Sequence, residues 1–341
     1  MQAAYLPGGS KVDLKEVPDP TPGRGQVRIA MRASTICGSD LRAIYREHLG
    51  EGPEAYQGVI GGHEPAGLVE SVGEGVERIR PGDRVVIYHI SGCGQCGECR
   101  KGYQIACQGP SRAAYGWQRD GGHADFLIAD EVDCLVLPDS LTYVDGACVA
   151  CGFGTAFEAL CRIGVSGKDS LLVTGLGPVG LAAGLLAKKL GSSHIVGVDL
   201  SESRRALALE LGAVDDVSDG SDLDDLLGQG ADASIDCSGN GNGQLSTLVH
   251  TRRWGKVALV GEGGILNGVD VSQVLIHKQL QVHGSWVTST WRMQELLDNL
   301  DRWGLHPDQV VSQRFPLARA AEAYQAADAA QSGKVAVVWD E

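Results

Sequence analysis

Four cysteines, Cys93-x2-Cys96-x2-Cys99-x7-Cys107, crowd into one short stretch. Thiols at that spacing close a tetrahedral Zn²⁺ site from local sequence alone. Gly92, Gly94, Gly97 and Gly102 let the backbone wrap tightly round a small ion. Disulfides are the competing use of such cysteines. Against them, Met1 to Gly9 has neither the basic region nor the apolar core of an export signal, and the other six cysteines are scattered. That pattern suits a reducing compartment. The expectation is a structural metal lobe at about 92–108 in a cytoplasmic protein.

At 341 residues the chain has room for two domains. Composition is globular, 43% hydrophobic and 21% charged, with 48 glycines that suit a loop-rich, strand-rich protein. The net charge is −14 and no Lys/Arg cluster occurs, which disfavours nucleic acid and anionic membrane as partners. No apolar stretch reads as long and uncharged enough to span a bilayer. No internal repeat or low-complexity segment is visible.

The first part of the chain is β-rich. Val27 to Ala33 alternates with period two, and Pro81-Gly82-Asp83 is a turn feeding a strand at Arg84 to Ile87. From about Gly152 short apolar runs alternate with helical patterns. Leu171 to Val173 precedes a helix over Val179 to Leu190, and Ile195 to Val198 precedes one over Ser203 to Leu211. Further strands are expected at Ala233 to Ile235, Val257 to Val260 and Val282 to Gly284. This is the pattern of a doubly wound parallel sheet. A final helix, Ala318 to Ala330, and a strand, Val335 to Trp339, return to the first domain. The chain therefore reads as an α/β protein: residues 1–151, an inserted domain at 152–289, and a return segment at 290–341.

Gly175-x-Gly177-x-x-Gly180 follows a strand and opens a helix through Pro178 and Val179. The first glycine permits the tight turn, the second lets a pyrophosphate approach, and the third lets helix and strand pack. Helix N–H groups then face the phosphates. Asp199 ends the next strand, where a carboxylate accepts from ribose hydroxyls and repels a 2′-phosphate. NAD is favoured over NADP. Arg204 and Arg205 either reach a phosphate or belong to a solvated helix face.

Outside the four-cysteine lobe, Cys37, His63 and Cys151 sit in glycine-flanked segments. A catalytic zinc keeps three protein ligands and one open position. Spacing alone does not join these three, and each taken singly reads as a buried Cys or a satisfied core His.

The motif Gly62-His63-Glu64-x2-Gly67-x5-Gly73-x2-Val76 resembles the signature of zinc-containing alcohol dehydrogenases of the medium-chain family. Cys37-Gly38-Ser39-Asp40, Pro81-Gly82-Asp83-Arg84-Val85, the four-cysteine lobe and the glycine-rich turn are similar to that family's motifs too, so the resemblance covers essentially the whole chain. It implies a GroES-like catalytic domain wrapped around a Rossmann domain, with the active site in the cleft. It also implies two zinc ions per chain. Cys37, His63 and Cys151 would hold the catalytic ion, and Cys93, Cys96, Cys99 and Cys107 the structural one. Cys148 is a rival third ligand, but Cys151-Gly-Phe-Gly-Thr matches the family form. By the same resemblance Glu64 lies beside the metal, Asp40 orients His63, and Ser39 takes the substrate's proton. Ser238, Gly261 and Ser285 fall on loops beside the nicotinamide.

The chain departs from the family at Arg42, where alcohol dehydrogenases often carry a proton-relaying His. Arginine stays protonated at any working pH, which leaves water, the ribose hydroxyls or His48 as proton exits. Gly38 is shared with polyol and threonine dehydrogenases, whose third ligand is typically Glu rather than Cys. His48, His89 and Trp117 align near the substrate. Two histidines beside zinc suit a polar secondary alcohol: a polyol, cyclitol, sugar or amino alcohol. A general primary-alcohol dehydrogenase is the alternative, and a non-catalytic zinc protein a remote one. Trp286 and Trp291 either line the cleft or fill a subunit interface, and relatives form homodimers or homotetramers.

Overall fold

The computed structural model describes residues 1–329 and 333–339. Two compact units emerge, one from Met1–Gly154 together with the chain from Thr288 onward, the other Thr155–Val287.

The first unit is built on a seven-stranded sheet. Its longest strand, Gln26–Ile36, buries Val27, Ile29, Met31 and Ala33 on one face, as the period-two pattern requires. It pairs antiparallel with Glu64–Val72, Phe126–Asp130 and Lys334–Val338; Arg84–Ile87, Cys134–Val136 and Val311–Pro316 extend the sheet. Val69, Val85, Ile87 and Leu127 join the strand's apolar face in one core, while Leu6, Ile44, Tyr324 and Val337 fill another. The returning strand starts at Lys334 rather than Val335 and ends at Val338. The helix before it runs Ala320–Asp328, because Leu317–Arg319 is taken up by a 3₁₀ turn. Ala330 lies outside the described residues.

A continuous helical run, Tyr143–Ile163, corrects the membrane expectation. By length and composition it could cross a bilayer, with mean hydropathy 1.3, but 78% of it is buried within the protein. Its apolar character is that of a core helix. A π-helical turn at Val149–Phe153 interrupts it.

The second unit is a six-stranded parallel sheet in the order Asp216–Ser218, His194–Val198, Ser170–Thr174, Ala231–Asp236, Thr251–Leu259, Gln281–Gly284. Two halves run outward from Ser170–Thr174, which is the doubly wound Rossmann order. The first helix is Pro178–Lys189, one residue ahead of the sequence expectation, since proline's fixed φ suits the first helical position. The second is Glu202–Glu210, capped by the Ser201 side chain.

Candidate active site

Cys37 closes the strand Gln26–Ile36 and caps the short turn Gly38–Asp40. Asp40 is fully buried. One of its oxygens accepts from Cys37 N at 3.1 Å, the other lies 2.7 Å from His63 Nδ1. A carboxylate only accepts, so Nδ1 carries a proton and Nε2 is left bare for a metal. Gly62, at φ +88°, has no room for a side chain: a Cβ there would stand 2.5 Å from the His123 ring. Cys151 sits in the π-helical turn, a device common at functional sites.

These elements bring the donor atoms of Cys37, His63, Glu64 and Cys151 within 4.8 Å of one another. The two thiols contend for a single negative charge. The Cys151 thiol, with His63, pulls Cys37 well below the ordinary thiol range, and the Cys37 thiolate pushes Cys151 well above it. An S, N, S set in that condition, its His63 buried and its two cysteines half-buried, fits a divalent soft cation such as Zn²⁺. Cys148, the rival ligand, is buried outside the cluster.

Glu64 is held away from solvent by Lys334, at 2.7 and 2.9 Å, and by the Thr35 hydroxyl. Burial pushes its carboxyl up to about 7 against the pull of Lys334. Sequence reasoning missed Lys334. Its signal was there, a single charge opening the apolar strand Lys334–Val338. Ser39 stands between Cys37 and Asp40, partly exposed.

His89 Nδ1 lies 2.7 Å from Ala150 O, its ring 5.1 Å from that of His63. Burial, then the nearby His63, hold it down to about 4, so it is neutral. Trp117 meets His63 edge-on at 6.5 Å. His48 is not brought to this group. Its Nε2 lies 2.8 Å from Leu6 O, its ring packs on Tyr56, and it is exposed. Gly9 N→Arg46 O and Ser10 N→Tyr45 O bonds pin its segment to the turn of the hairpin formed by strands Gln2–Gly8 and Lys11–Glu16.

The sulfurs of Cys93, Cys96, Cys99 and Cys107 form a second group within 4.8 Å. All are free thiols rather than disulfides. Cys96 N and Gly109 N each donate to sulfur at 3.3 Å, from Cys93 and Cys107 respectively. Backbone N–H groups of Gln95 and Cys96 pull Cys93 down to about 6, while burial pushes Cys99 up to about 12. Four sulfurs converging with such donors fit a closed tetrahedral zinc site.

In the second unit Gly175 turns at φ +89° against Ser238, and nothing stands within 4 Å of a Cβ built on Gly177. That leaves the backbone open where a pyrophosphate would approach. Asp199 accepts from Leu176 N and Ser201 N, each at 2.9 Å, and Arg204 lies 3.5 Å from it. Arg204 is therefore tied to the carboxylate. Ser238, Gly261 and Ser285 follow the carboxyl ends of successive strands, with Ser238 bonded to Asp236 and Ser285 buried. Trp286 and Trp291 are both exposed.

Residues 23–139 match the alcohol dehydrogenase GroES-like domain, and 178–302 the zinc-binding dehydrogenase domain. An uncharacterized zinc-type alcohol dehydrogenase-like protein of Escherichia coli, YphC, is 47% identical over 99% of this chain and 98% of its own. The chain belongs to the zinc-containing medium-chain alcohol dehydrogenases. An L-threonine 3-dehydrogenase of Anaeromyxobacter sp. (strain K) is 32% identical over 95% of this chain and 94% of its own. The solved alcohol dehydrogenase TADH from Thermus sp. ATN1 superposes with a TM-score of 0.87 at 26% identity, covering 99% of each chain. This alcohol dehydrogenase thus pairs a GroES-like unit with a Rossmann unit, and it is an oxidoreductase.

Proposed function

We propose that this alcohol dehydrogenase transfers hydride between a polar secondary alcohol and NAD, using one zinc at Cys37, His63 and Cys151 and a second at the four-cysteine lobe. The observation carrying the substrate class is the tautomer of His89. A backbone carbonyl can only accept, so the Nδ1 facing Ala150 O is protonated. The neutral ring then offers Nε2 as an acceptor next to His63. Such an acceptor suits a second hydroxyl or an amino group beside the reacting carbinol, and an analogue lacking that donor leaves it unpaired.

Bound Zn²⁺ supplies Lewis acidity, which acidifies an alcohol and polarises the matching carbonyl. Asp40 fixes the His63 tautomer. Ser39 Oγ receives the alcohol proton. Lys334 keeps the neighbouring Glu64 carboxylate engaged. Asp199 supports NAD over NADP, since a 2′-phosphate would meet it as a like charge.

A homo-oligomer is part of the reading. Strand Gln281–Gly284 is an open sheet edge, and Ile265, Val271, Ile276 and Trp286 of the same unit are exposed. Proteins cover such edges. Ten free thiols support a reducing, cytoplasmic setting.

The test is NAD⁺ reduction by the zinc-loaded enzyme across polyols, cyclitols, amino alcohols and simple alcohols, for wild type and His89→Phe. Turnover confined to polar substrates, and lost selectively in the variant, supports the reading. Preference for simple primary alcohols in both makes the general alcohol dehydrogenase the better answer.

A further inference from the structure

Behind the His89 segment lies a buried polar group that the reaction above leaves unused. Asp133 is 0% exposed. Its Oδ2 accepts from the Tyr115 hydroxyl at 2.9 Å, and its buried Oδ1 has no partner. Among the described residues it forms no ion pair; Arg119 spends its charge on Asp130, 2.7 Å away, and stacks over the Tyr115 ring. Asp130 also takes the Ser91 hydroxyl at 2.7 Å, and Asp130 N donates to Tyr115 Oη at 2.9 Å. A carboxylate here would be an unpaired charge with an orphan oxygen, at far greater cost than a neutral acid.

The backbone links this group to the active site. Tyr88 N donates to Asp133 O at 2.8 Å, and Tyr115 N to His89 O at 2.9 Å. The small ribbon of Ile90–Ser91 with Ala113–Ala114 lies next to them and leads into Cys93.

We propose that Asp133 is held as a neutral carboxylic acid and is a positioning residue for the His89 segment, so that its deprotonation loosens the ribbon between His89 and the four-cysteine lobe. Burial, with the Asp130 charge adding to it, pushes its carboxyl up to about 7 against the Tyr115 and Ser91 hydroxyls and the Arg119 charge. The titratable and charged groups facing it are Tyr115, Asp130 and Arg119; Glu131 and Cys134 share its turn, with Arg78 beyond. An unfolded aspartate titrates at about 4. The folded chain therefore holds the extra proton between about pH 4 and 7, and stability falls as pH rises through that window, then levels.

The effect on turnover rests on the reading of His89 given above; the proton on Asp133 does not. The test follows thermal unfolding of the full zinc-loaded chain from pH 5 to 8.5, wild type beside Asp133→Asn. The amide mimics the neutral acid, so its Tm relative to wild type should climb by several degrees between pH 5 and 8. A difference that stays flat with pH overturns the proposal. Should the Asn variant not fold, Tyr115→Phe removes a donor to the carboxyl and should shift the wild-type pH profile upward; an unmoved profile overturns it equally. Amide exchange at 89–91 and 113–115 should quicken with pH beyond that at Arg84–Ile87 in wild type only, and uniform exchange would remove the positioning role. If both hold but KM for polar alcohols shows no matching rise with pH, the assignment of His89 to the substrate fails instead.

Discussion

Lys334 Nζ lies 2.7 Å from Glu64 Oε2, and both side chains are buried. The pair fastens the returning strand to the residue beside His63, so a cation late in the sequence secures the metal cluster's own neighbour. Lys334→Met would strand the carboxylate and cost about 3–5 kcal/mol of stability. The double variant with Glu64→Gln should regain much of that. Denaturant unfolding of all four proteins measures the coupling, and additive losses would deny it.

Asp40 holds both Cys37 N and His63 Nδ1. Asp40→Ala should weaken zinc at the three-residue cluster by about 10–100-fold and leave the four-cysteine zinc in place. Zinc release to a chromogenic chelator resolves the two populations. One fast and one unchanged release is the expected outcome.

The four thiols of the lobe differ in acidity. In zinc-depleted protein at pH 7, Cys93, held at about 6, should alkylate before Cys99, at about 12, because the thiolate is the nucleophile. Timed iodoacetamide labelling with peptide mass spectrometry reads the order.

Local chemistry was legible in the sequence. The glycine-rich turn, the four-cysteine spacing and the strand-helix alternation each depend on neighbours in the chain, and all three specified their elements. The Cys37, His63, Cys151 grouping rested on resemblance, since no local spacing links residues so far apart. His48 lies outside that cluster for a reason equally invisible in local sequence, since its ring faces Leu6 O and Tyr56. Lys334 and Asp133 escaped notice because burial is a property of the fold. The Tyr143–Ile163 helix was underestimated because a core helix and a membrane helix share their composition.

Asp199 accepts from Leu176 N, and in the function proposed above it also reads the ribose. Asp199→Ala should raise the NADP⁺ to NAD⁺ ratio of kcat/KM at least tenfold, about 1.4 kcal/mol, and raise KM for both. Steady-state kinetics with each cofactor decides; an unchanged ratio assigns ribose recognition elsewhere.

His123 is fully buried with Nε2 unpartnered, and burial holds it down to about 4. Below an unfolded value of about 6.5 the unfolded chain binds the extra proton, so stability drops as pH falls from 6.5 to 4. That one group is worth about 3 kcal/mol over the window. His123→Phe should flatten this part of the profile in chemical denaturation at stepped pH, whereas an unchanged slope would place the acid sensitivity in other groups.

The interior position of Lys334–Val338, between Val311–Pro316 and Gln26–Ile36, sets an order of assembly. During synthesis the Rossmann unit is complete once Val287 has emerged, while the GroES-like sheet still lacks an internal strand. Until then Glu64 lacks its Lys334 counter-ion, and the Ala33–Ile36 end of the strand leading into Cys37 is unpaired on that side. The surroundings of the Cys37, His63 and Cys151 cluster thus depend on residues 334–338, much further along the chain, whereas the four-cysteine lobe draws its thiols from one contiguous stretch.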